Sequence, residues 1–132
     1  ANSGMLSSDV NAAYDHLFAN AFEKNSGLNL DGGCIQQVDG SREKSGSNDA
    51  NAEYIARIRK MMDKNEVCFQ TAELGKVDVG GGGTIAYILS LYGMEVIDCG
   101  VAVLNMHAPW EITSKADIYE AYKCYKVFLK EA

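Results

Sequence analysis

The stretch MEVIDCGVAVLNMHAPW, Met94–Trp110, holds two short apolar runs, Met94–Ile97 and Val101–Met106, on either side of Asp98-Cys99-Gly100. Short β-rich apolar runs bounded by Gly and Pro read as buried strands. The second run delivers His107 into a turn marked by Pro109, where an imidazole is placed to point into a cleft. The same position suits a hydrogen-bonded structural histidine, and the pattern leaves both readings open.

Outward from this stretch, the chain alternates. Met5–Val10 reads as a strand that ends near Asp9. Ala12–Lys24 spaces Tyr14, Phe18 and Phe22 by four, which is one helical face or a loop. Cys34–Val38 is a strand. Asp39–Ser47 is a Gly- and Ser-rich loop, a lid or a plain connection. Asn48 or Asp49 then suits a helix cap, because a short side-chain oxygen can accept the free N–H groups of a first turn. That helix runs to about Lys64, with Ala52, Ile55, Ile58, Met61 and Met62 as its apolar stripe.

Val67–Thr71 is the next strand. Thr84–Tyr92 is a helix stopped by Gly93. Ser114 and Asp117 have capping-box spacing. The last helix carries Ile118, Ala121, Tyr122, Tyr125, Phe128 and Leu129 as its stripe. Such alternation predicts an α/β fold, a mixed sheet flanked by helices.

Composition narrows the function. The 132 residues suffice for one core, and 47% of them are hydrophobic. A net charge of −6 with 12 scattered basic residues argues against nucleic acid and anionic membranes, which select clustered Lys and Arg. No apolar run approaches the ~20 residues of a membrane span. Cys34, Cys68, Cys99 and Cys124 form no CxxC pair. In apolar surroundings they read as reduced core thiols of a cytoplasmic protein. The opening Ala1-Asn2-Ser3-Gly4 lacks a starting Met and does not resemble a signal peptide, so the chain reads as a fragment or processed piece.

Gly80–Gly83 precedes a helix, where backbone N–H groups attract anions. The dinucleotide and phosphate-loop fingerprints fail, since position 85 is Ile85 and no Lys follows. Four glycines still let a substrate or a neighbouring strand approach the backbone closely. Asp9 is either a metal carboxylate or a solvated turn residue. A metal site needs three or four ligands, and the other histidine, His16, stands in a different context. No Ser-His-Asp arrangement is evident.

Ala72–Ala86 (AELGKVDVGGGGTIA), Tyr92–Glu111 (YGMEVIDCGVAVLNMHAPWE) and Ser114–Lys123 (SKADIYEAYK) resemble the aminopeptidase I, or aspartyl aminopeptidase-like, family of zinc metallopeptidases. Met5–Asp15 and Gly40–Ala50 resemble its bacterial branch. The resemblance covers nearly the whole chain and implies that residues 1–132 are the C-terminal part of one catalytic domain. It implies two zinc ions per complete site. Asp9 would be a ligand of one and His107 of the other, while the bridging Asp, another His and the catalytic Glu pair lie upstream.

The reaction implied is removal of N-terminal residues from peptides. Paired zincs roughly 3.5–4 Å apart bind the attacking hydroxide and polarise the carbonyl. Gly81, Gly82 and Gly83 would lie along the peptide. Glu111 or Asp98 would orient the His107 ring. The implied partners are the missing N-terminal part of the enzyme, a peptide substrate and further copies in a large homo-oligomer. Ala12 stands where the eukaryotic branch has a substrate-contacting His, and Gln36-Gln37 where it has a Lys. A preference for acidic N-terminal residues is therefore not implied. His16 matches no family ligand. The alternatives are a non-enzymatic nucleotide- or ligand-binding module built on Gly80–Gly83, and a structural assembly piece.

Overall fold

The computed structural model describes residues 3–22, 29–39, 50–73 and 84–131, with the backbone alone for 34–39 and 73. A four-stranded mixed sheet forms the centre, in the order β1 (Gly4–Ser7), β5 (Glu95–Gly100), β3 (Cys34–Asp39), β4 (Phe69–Glu73). β1 runs parallel to β5 and β3 parallel to β4, while β3 and β5 are antiparallel. A second parallel pair, β2 (Asn11–Ala12) with β6 (Ala102–Val103), continues the β1–β5 pair beyond a short break. Helix α1 (Ala52–Lys64) makes the crossover between β3 and β4, as a parallel pair requires.

β5 is buried at every position from Val96 to Gly100. Its odd positions, Ile97 and Cys99, join Tyr54, Ile58, Met62, Ala121 and Cys124 in the main core. That layer belongs to α1 and to α3 (Lys115–Glu131). α2 (Ala86–Ser90) packs against β5 as well. A strand covered on both faces is apolar at nearly every position, and this is why residues 94–106 stand out in the sequence. The expected α/β mixed sheet with flanking helices is the fold observed.

Several boundaries move. Asp98-Cys99-Gly100 continues β5 instead of breaking it. Gly100 is tolerated there because a side chain would put its Cβ 1.8 Å from the Asp9 carbonyl oxygen. Of the predicted Met5–Val10 strand only Met5–Ser7 belongs to β1, and Ser8–Val10 form the break before β2. The fourth strand begins at Phe69 rather than Val67, and α2 is shorter than the predicted Thr84–Tyr92. Instead of a helix over Ala12–Lys24, a 3-10 turn spans His16–Ala21, with non-helical dihedrals at Phe18. Its cap is Asp15, which accepts from Leu17 N–H. Tyr14 meets His16 and Phe22 through ring contacts.

The α1 cap is Asn51, accepting from the N–H groups of Glu53 and Tyr54, and Asn48 and Asp49 lie outside the described residues. Ala52 of the predicted stripe is exposed, while Tyr54 is buried and donates its hydroxyl to Met5 O at 3.0 Å. A phenol hides in such a stripe because its body is apolar and only its tip is polar. Cys68, expected in the core, is exposed in the turn before β4. Cys99 and Cys124 are buried with their sulfurs 3.8 Å apart. Among the described residues no helix is long and apolar enough to cross a membrane.

Half of the predicted capping box forms, with Ser114 Oγ accepting from Ala116 N–H. Asp117 turns inward instead. It is fully buried and accepts from Gly33 N–H at 2.8 Å and Asp31 N–H at 2.9 Å. This carboxylate ties the start of α3 to the approach to β3. Gly33 has φ +89°, and a Cβ there would lie 2.2 Å from Cys68 O, so glycine is required.

Candidate metal-ligand segments

Asp9 occupies the short break between β1 and β2, half-buried beside Gly100. Backbone pairing holds the break on both sides: Ser7 sits in register with Asp98, and Asn11 N–H donates to Val101 O at 3.0 Å. Asp9 Oδ1 accepts from the neighbouring Val10 N–H at 2.9 Å, which fixes the plane of the carboxylate.

His107 lies beyond the end of β6, in a loop closed by the Leu104–Ile112 bridge. Its backbone is left-handed, φ +68°, as is that of Asn105 at φ +58°. Non-glycine residues take this conformation at a cost and are concentrated at functional loops. His107 N–H donates to Glu111 Oε1 at 2.6 Å, so Glu111 holds the backbone of His107. The His107 side chain is exposed. An apolar cleft of about 330 Å³ is lined by Ala12 and Ala13 from one ribbon and by Leu104 and Met106 from the other, with Phe18 and Phe22. The chain segments that follow Asp9 and precede His107 thus meet at one cleft.

Asp98, named in the sequence as an orienting group for His107, lies in β5 in register with Ser7, where the Asp9 charge reaches it. Burial pushes its carboxyl up, the Ser7 and Thr84 hydroxyls oppose the rise, and the Asp9 charge adds to it. Ser7 Oγ and Asp98 Oδ1 are buried without completing a hydrogen bond of good geometry. The signal for Asp98 was present in the sequence: an acid set between Val96-Ile97 and Cys99, in the middle of the apolar stretch, is a charge about to be buried. Gln36 and Gln37 fall in β3, in register with Cys99 and Asp98. His16 is exposed beside Tyr14. Gly80, Gly81, Gly82 and Gly83 and the Asp39–Ser47 loop beyond Asp39 lie outside the described residues.

Carboxylate oxygen and imidazole nitrogen are the donors zinc takes, but a closed or catalytic site needs at least three protein ligands. Among the described residues no group of three or more His, Cys, Asp or Glu side chains is placed to hold a metal ion. Asp9 and His107 therefore fit zinc in kind, and do not by themselves complete a centre.

An α/β sheet with candidate ligands on loops at strand ends is an architecture that metal-dependent hydrolases use. Comparison with known proteins makes the class specific. The sequence profile of the aminopeptidase I zinc metalloprotease family (M18) matches residues 1–129, and the chain belongs to that family. It is 63% identical over 129 residues to a probable M18 family aminopeptidase 1 of Clostridium acetobutylicum, covering 97% of this chain and 28% of the relative. The Thermotoga maritima counterpart is 41% identical over 131 residues, 98% of this chain and 29% of the relative. The crystal structure of aminopeptidase I from C. acetobutylicum superimposes with a TM-score of 0.90 at 62% identity, over 96% of this chain and 28% of that one. The chain thus spans less than a third of the length of these relatives.

Proposed function

We propose that this chain is the C-terminal part of the catalytic domain of a two-zinc aminopeptidase that removes N-terminal residues from peptides. Asp9 contributes a ligand to one zinc and His107 to the other, and the remaining ligands and the catalytic acid–base pair come from the upstream part. The observation that carries the reading is family membership across residues 1–129, in a chain where residues shortly after Asp9 and just before His107 line one cleft. When bound, the paired zincs supply the activated water and polarise the scissile carbonyl.

This chain's residues hold and orient. Gly100 lets the Asp9 carbonyl pass, Val10 N–H fixes the carboxylate, and Glu111 anchors the backbone of His107. By the family resemblance, Gly81, Gly82 and Gly83 are assigned to the peptide substrate. Alone the chain is inactive, because two ligands do not retain a pair of zincs. The complete enzyme is a large homo-oligomer and works in the cytoplasm. The nucleotide-binding alternative has no support beyond a glycine run that matches no phosphate fingerprint.

The test is zinc content of the intact enzyme. His107→Ala should lower it by about one ion per subunit and abolish peptide hydrolysis, since loss of one of few ligands opens a site. Unchanged zinc and unchanged hydrolysis would remove the proposal.

A further inference from the structure

The break between β1 and β2 carries Asp9, and a tyrosine of α3 reaches the residues beside it. Tyr125 donates its hydroxyl proton to Cys99 O at 2.7 Å. The same phenol oxygen lies 2.8 Å from Ser8 Oγ. A phenol has one proton to give. With that proton on Cys99 O, Ser8 donates in the second bond and the phenol oxygen accepts.

These two partners flank the Asp9 passage. Ser8 immediately precedes Asp9, and Cys99 immediately precedes Gly100, the residue that the Asp9 carbonyl passes. Strand pairing between the two chain segments stops at Ser7 opposite Asp98 and starts again at Asn11 opposite Ala102. In between, the phenol ties the two segments to each other and both of them to α3. The helix is well anchored for this. Cys124, next to Tyr125, is buried with its sulfur 3.8 Å from that of Cys99, and Asp117 fastens the first turn to Asp31 and Gly33. The Tyr125 ring packs against the main core. A hydroxyl carried on a helix and a packed ring has little freedom left, so it fixes where its partners stand.

We infer that Tyr125 is a positioning residue for Asp9: its hydroxyl, bonded to Ser8 and to Cys99 O, sets the break between β1 and β2 so that the Asp9 carboxylate is held ready for zinc. The inference rests on the reading of Asp9 as a zinc ligand. Groups that orient a ligand without touching the metal change metal affinity by about 10–100-fold when they are lost. Tyr125 acts through the residue before Asp9, so the lower end of that range applies. The structure also supplies a control. Tyr54 donates its hydroxyl to Met5 O at 3.0 Å, a bond of the same kind at the far end of the same strand. Tyr54→Phe and Tyr125→Phe each remove a hydroxyl and keep the ring. Both should lose stability, and only the second should lose zinc.

The experiment measures zinc affinity of the intact polypeptide, upstream part included, by competition with a chelator, and amide exchange in its metal-free form. Tyr125→Phe should weaken one zinc of the pair by about tenfold. It should also quicken exchange at Val10 and Asn11 by about fivefold, the weight of one net hydrogen bond. The Val10 amide reads the carboxylate directly, because it donates to Asp9 Oδ1. Tyr54→Phe should leave both readings within about twofold of the parent, as expected of a distant site.

Ser8→Ala removes one of the two bonds at an exposed position, with little risk to folding. It should weaken zinc in the same direction. Combined with Tyr125→Phe it should add no more than about twofold, since the two side chains act as a unit. Zinc affinity and exchange in Tyr125→Phe that match those of Tyr54→Phe would overturn the inference, as would full additivity with Ser8→Ala. A parent polypeptide that binds no zinc and cleaves no peptide would sink the aminopeptidase reading instead. Exchange at Val10 would then still decide whether the phenol sets the Asp9 carboxylate.

Discussion

Replacing Asp117 by alanine removes a carboxylate that accepts two backbone hydrogen bonds, from Gly33 at 2.8 Å and Asp31 at 2.9 Å. The Gly33 N–H is buried and would have no other acceptor, whereas the partly exposed Asp31 N–H can turn to water. Leaving one buried donor unmade costs about 1–3 kcal/mol, and losing a second, charge-assisted bond adds about 1 kcal/mol. The expected loss for Asp117→Ala is therefore about 2–4 kcal/mol. Asp117→Asn keeps the shape and one acceptor oxygen but sets an amide N–H₂ against the other donor, for a loss of about 1–2 kcal/mol. Urea unfolding of the purified chain checks this. With a slope of about 1–3 kcal/mol per molar, the alanine variant should unfold at a midpoint lower by about 1–2 M with the slope unchanged. An alanine variant within about 0.5 kcal/mol of the parent, or an asparagine variant less stable than alanine, would refute the claim that this carboxylate holds α3 to the entry of β3.

Asp98 sets a pH dependence. Burial raises its carboxyl above the value it has in the unfolded chain. The folded state holds the proton more tightly, so stability is highest below the unfolded pKa and falls as pH rises through the folded one. In Asp98→Asn that fall should disappear from a series of thermal melts across acid to neutral pH, and an unchanged profile would contradict the assignment. Gly100→Ala would drive a methyl into the Asp9 carbonyl. It should destabilise the chain by about 1–3 kcal/mol, the range for overpacking, and lower zinc retention in the intact enzyme without altering any proposed ligand. Tyr54→Phe removes the bond to Met5 O and should cost about 1 kcal/mol in chemical denaturation.

Much of the fold was legible from residues alone. The β5 run was visible because burial on both faces leaves it apolar throughout, and α1 ends at Lys64 as the periodicity predicts. The misplacements share a cause: local pattern is blind to partners distant in sequence. Asp98-Cys99-Gly100 carries turn-forming residue types, yet Gly100 serves the passage of Asp9. Asp117 has capping-box spacing, yet its acceptor capacity goes to Asp31 and Gly33, more than eighty residues away. The α3 stripe mixed two faces, and Ile118, Tyr122 and Leu129 fall on the exposed side. For the site, pattern alone left Asp9 and His107 as a turn acid and a strand-end histidine. What raised them to candidate ligands was the match of long stretches to one family, and the structure adds the cleft, the left-handed His107 backbone and the Glu111 anchor.

The first strand of the chain pairs with one that begins about ninety residues later, Gly4 opposite Glu95. Closing so long a loop is slow, because its entropy must be lost before any contact rewards it. During synthesis β1 must therefore wait for this partner until β5 has left the ribosome. A nascent chain stalled before residue 100 would carry the Asp9 segment without the β5 partner and the Gly100 passage that shape it, so this carboxylate depends on residues made some ninety positions after it.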